Sequence, residues 1–65
     1  MRLKRVYLCE LVSRDDSVRQ TCTAYRSKRS ARRWQDTMNV EDEDGFSAAD
    51  KLDCVATIRE MKVNP

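Results

Sequence analysis

A chain of 65 residues with one Gly and one Pro is long enough for a single domain, and at this size folding buries only about 60% of the surface the unfolded chain exposes. With 37% charged residues and a mean hydropathy of −0.78, nothing approaches the ~20 apolar residues of a membrane span, and Met1-Arg2-Leu3-Lys4-Arg5 is not followed by the apolar stretch of a signal peptide. Three Cys make no even disulfide framework and, without His, leave no fourth thiol to complete a tetrahedral zinc site, so the expectation is a cytoplasmic domain, residues 1–65, with reduced thiols and no metal or cofactor.

Residues 3–13 and 18–26 are rich in β-branched, aromatic and Cys residues, and Arg14-Asp15-Asp16-Ser17 between them has turn composition. This predicts a β-hairpin with Asp15 and Asp16 at its tip. Cys9 then faces Cys22, Leu11 faces Gln20, Ser13 faces Val18 and Tyr7 faces Ala24. One face collects Leu3, Tyr7, Cys9, Leu11, Val18, Cys22 and Ala24 as the expected core. The other mixes Val6, Leu8, Val12 and Tyr25 with Glu10, Arg19, Thr21 and Thr23.

After Ser27 the apolar period lengthens: Ala31, Trp34 and Met38 fall on one face of a helix whose remaining circumference carries Lys28, Arg29, Arg32, Arg33 and Gln35. Ser27 or Ser30 supplies the N-cap, and Asn39 suits a left-handed stop. Glu41-Asp42-Glu43-Asp44-Gly45 reads as a solvated loop. Placed on a calcium-loop frame, its first and last ligand positions fall on Val40 and Lys51, so no calcium site is expected.

Ser47-Ala48-Ala49-Asp50 has the form of a capping box and opens a short helix. Beyond it, Cys54, Ala56 and Ile58 alternate with Val55, Thr57 and Arg59, which predicts a strand over about 54–63, although Leu52, Val55 and Ile58 also fit a helical face. The fold expected is a small α+β domain of order ββα(α)β, an antiparallel hairpin joined by a third strand next to the first, with one or two helices on one face. The alternative is ββαα.

Catalysis has little to work with: no His, thiols on predicted strands, and carboxylates in charged stretches where burial shifts no pKa. A non-enzymatic binding protein is the expectation. The chain is electrically lopsided, with ten Lys and Arg against three Asp and Glu over residues 1–34, and three against eight over residues 35–65. Five cations fall within Tyr25–Trp34, so Tyr25, Arg26, Lys28, Arg29, Arg32 and Arg33 are the candidate nucleic-acid-binding residues. A blander account has these cations on a solvated face, paired in part with Glu41–Asp44, Asp50 or Asp53, with Trp34 a core residue. Two functions follow. One is an accessory protein, of the small phage and bacterial kind, that contacts nucleic acid through its basic helix. The other is an inhibitor or adaptor, possible also as a homodimer, that docks on a host protein and touches no nucleic acid.

Overall fold

β-branched and aromatic residues carry the chain through strands β1 (Lys4–Ser13) and β2 (Arg19–Tyr25). Helix α1 (Lys28–Asn39), the single-turn helix α2 (Ala48–Lys51) and strand β3 (Cys54–Val63) follow. The structure is a computed structural model that describes residues 4–63; Leu3, expected in the core, lies outside them. The sheet has the order β2-β1-β3, with β1 antiparallel to both neighbours. The third strand thus lies beside the first, and the helical alternative for residues 54–63 is excluded.

The hairpin closes as its polar turn predicts. The Ser13 amide donates to the Val18 carbonyl at 2.9 Å, and Asp16 turns the tip with φ of 62°, which a short polar side chain tolerates. The Asp15 carboxylate accepts from the Ser13 and Ser17 hydroxyls, each at 2.7 Å, and from the Ser17 amide at 3.1 Å. These bonds, the Ser17 hydroxyl first, hold its pKa down to about 2.

Away from the tip, the pairing departs from a regular ladder. Val12, Leu11 and Glu10 oppose Arg19, Gln20 and Thr21, but Cys9 opposes Thr23, Leu8 opposes Ala24 and Tyr7 opposes Tyr25. Cys22 is the extra residue of a β-bulge. Because successive side chains alternate between faces, one inserted residue moves everything after it to the opposite face. Five expectations are corrected on this side of the sheet, Thr23 among them: it opposes Cys9 on the helix-covered face, where it is half-buried. Cys22 is exposed instead of buried opposite Cys9. Ala24 is exposed and opposes Leu8, not Tyr7. Tyr25 joins Tyr7 on the helix-covered face. Val18, 61% exposed, lies just outside β2, where no helix reaches it.

Both helices cover that face. Leu11, Ala49 and Ala56 are buried together, with Trp34, Met38 and Cys54 packed against them. Ala31 and Cys9 are fully buried. The Ser27 hydroxyl caps α1 by accepting from the Ser30 amide at 3.4 Å. Asn39 provides no left-handed stop: the helix ends where Val40 turns extended, with φ of −70° and ψ of 123°. Ser47 and Asp50 form the expected capping box, and Asp53, at φ of 55°, turns the chain from α2 into β3.

The other face of the sheet has no helix on it. At its centre Glu10 is only 1% exposed, because the side chains of Arg19 and Arg59 lie over it, each 3.2 Å from its Oε1. Val12 is buried there too, whereas Val55, Met61 and Val63 are 52%, 47% and 42% exposed.

Candidate nucleic-acid interface

At roughly 100° per residue, α1 places Lys28, Arg32, Arg29 and Arg33 within an arc of roughly 140°, opposite the arc of Ala31, Trp34 and Met38 that packs on the sheet. The four cations and Asp36 line one open surface. All four are exposed, as is Arg26 at the junction of β2 and α1. No acidic residue stands in the first turn of α1, so Lys28 and Arg29 sit against the positive end of the helix dipole, at a cost of a few tenths of a kcal/mol.

The ion pairs of the described residues go elsewhere. Arg5 pairs with Glu60 at 3.4 Å, Arg19 and Arg59 with Glu10, Arg14 with Asp50 at 2.8 Å and with Asp53 at 3.3 Å, and Lys51 with Asp42 at 2.7 Å. None involves Arg26, Lys28, Arg29, Arg32 or Arg33. The account in which Asp42, Asp50 and Asp53 neutralise the basic helix is therefore corrected: Lys51 and Arg14 hold those carboxylates. Lys51 holds the Asp42 carboxyl down to about 2, assisted by the Phe46 and Asp44 amides. Bonds from the Ser47 amide and hydroxyl lower Asp50, with Arg14 adding to them. The Asp42 Oδ1 accepts from the Asp44 amide at 2.9 Å and the Phe46 amide at 3.0 Å, so this carboxylate organises its own loop.

Two grooves flank the cation face. Tyr25, Ser30, Arg33, Trp34 and Thr37 line the one between α1 and β2. The other lies toward β3 and is lined by Tyr7, Lys28, Arg32, Gln35, Ile58 and Glu60, with Gln35 Nε2 donating to the Ala56 carbonyl at 2.9 Å. The structure thus gathers Lys28, Arg29, Arg32 and Arg33 on one face and sets Tyr25 beside Arg33, while Arg26 lines none of these surfaces. Tyr7 and Trp34 join the margins of the site. The sequence places Tyr7 only in the core, and its proximity to Lys28 and Arg32 depends on how α1 crosses the sheet.

Among the described residues, no group of three or more His, Cys, Asp or Glu side chains is placed to hold a metal ion. No helix among them is long and apolar enough to cross a membrane. No protein-family model, curated protein or solved structure matches the chain.

Proposed function

We propose that this chain is a non-enzymatic binding protein that engages the phosphate backbone of nucleic acid with the outer face of α1. One observation carries this reading: Lys28, Arg29, Arg32 and Arg33 share one exposed face and none has a carboxylate partner, whereas Arg5, Arg14, Arg19, Lys51 and Arg59 are all ion-paired. Asp36 shares this face but pairs with none of the four, so they remain available for external anions, and a row of phosphates matches a row of cations along a helix. Replacing the four with Gln removes the contacts and also relieves the opposed dipole at the helix start. The thermal midpoint is then unchanged or slightly raised, and the salt dependence of binding falls by about 0.9 per lost contact on duplex DNA. Unaltered nucleic-acid binding by this folded variant would exclude α1 as the contact surface.

A second reading rests on the uncovered sheet face. Val55, Met61 and Val63 are exposed in alternation along β3, which suits a protein–protein module that docks there on a host protein or a second copy.

A further inference from the structure

We propose that the groove between β2 and α1 takes an unpaired base, so that the nucleic acid bound is single-stranded. This rests on the phosphate-binding reading of α1 and adds to it the class of strand.

Arg33 lines both the cation face and the groove, where its neighbours are Tyr25, Trp34 and the hydroxyl-bearing Ser30 and Thr37. A phosphate on Arg33 therefore has its own nucleotide's base within reach of two aromatic side chains. Both are half-buried, which holds them in place and leaves part of each accessible. Their π faces accept any base, and base–aromatic stacking beside cations is how single strands are held without sequence readout. The bulge at Cys22 brings Tyr25 to this groove, because without the inserted residue its side chain would lie on the far face of the sheet. The charge is complementary as well, since the groove carries an unpaired arginine and no carboxylate. In a duplex the bases are stacked on one another, so only an unpaired base can enter.

Trp34 is the only tryptophan of the chain, so its emission reports on the groove directly. The test titrates the full chain at low salt with oligothymidine of about 12 nucleotides, and separately with the same strand annealed to its complement. The oligothymidine is expected to quench Trp34 and to bind about tenfold more tightly than the duplex, as one stacked base contributes. Tyr25→Leu should lose about that factor on the single strand, and Tyr25→Phe should keep it. Equal or tighter duplex binding with Trp34 emission unchanged would overturn the single-strand assignment and leave the phosphate reading standing. Binding of neither probe would overturn both. Should Tyr25→Leu fail to fold, the comparison of strand and duplex on the unaltered protein still decides.

Discussion

Cys22 and Cys9 show how much one residue's place in a strand decides. Cys9 lies under the helices, and burial first, then the nearby Cys22, raises its thiol pKa, so it is both shielded and poorly nucleophilic. Cys22 protrudes from the bulge. A bulky thiol reagent applied without denaturant should label Cys22 at once, Cys54 more slowly and Cys9 only on unfolding; equal rates at all three would contradict the described core. Carboxylates set the acid limit of stability. Asp15 and Asp42, usually near 3.8, are pushed down to about 2 in the folded chain, and Asp50 is lowered as well. Because the folded values lie below the unfolded ones, their stabilisation is fully present above the usual value and is lost as pH falls toward about 2. The thermal midpoint should therefore fall across that window, less steeply in Asp15→Asn, and a flat profile there would show that these carboxylates do not hold their turns.

Helix α1 divides its circumference between packing and charge, and the two halves respond differently to substitution. Trp34 packs on the cluster of Leu11, Ala49 and Ala56, so Trp34→Ala should cost about 3 kcal/mol, the low end for a large aromatic because the side chain is half-buried. Denaturant unfolding measures it, and a loss under 1 kcal/mol would place Trp34 outside the core. The periodicity of this helix, the capping box at Ser47 and the strand over Cys54–Val63 were legible because each is a local pattern of residue types at a fixed spacing. The bulge was not. Cys22, Thr23 and Ala24 are all compatible with a regular ladder, so no local pattern of residue types marks the inserted residue. Cys22, Thr23, Ala24 and Tyr25 depart from the alternation of the strand for that one reason. The burial of Glu10 was hidden for a related one, since it depends on Arg19 and Arg59 meeting over β1 from strands on either side.

Across the whole molecule, ion pairs join the basic and acidic halves of the sequence at both ends of the sheet, and the unpaired cations gather on α1. α1 starts beside Tyr7, Ile58 and Glu60, toward the end of the sheet where Lys4 pairs with Val63 and Arg5 with Lys62. At the opposite end, Asp15 and Asp16 turn the hairpin, and Arg14 ties that turn to Asp50 and Asp53. The described residues extend over 49 × 25 × 11 Å, so the two ends are well separated. On the proposed reading, the unpaired cations of α1 attract an approaching polyanion. The measurement that tests the account most directly is the salt dependence of binding to oligothymidine. Neutralising four or five phosphates predicts a log–log slope of about −3, at roughly 0.7 per phosphate on a single strand. A slope near zero, as expected when apolar area on the open sheet face is buried against a partner, or no binding at the lowest salt, would contradict it.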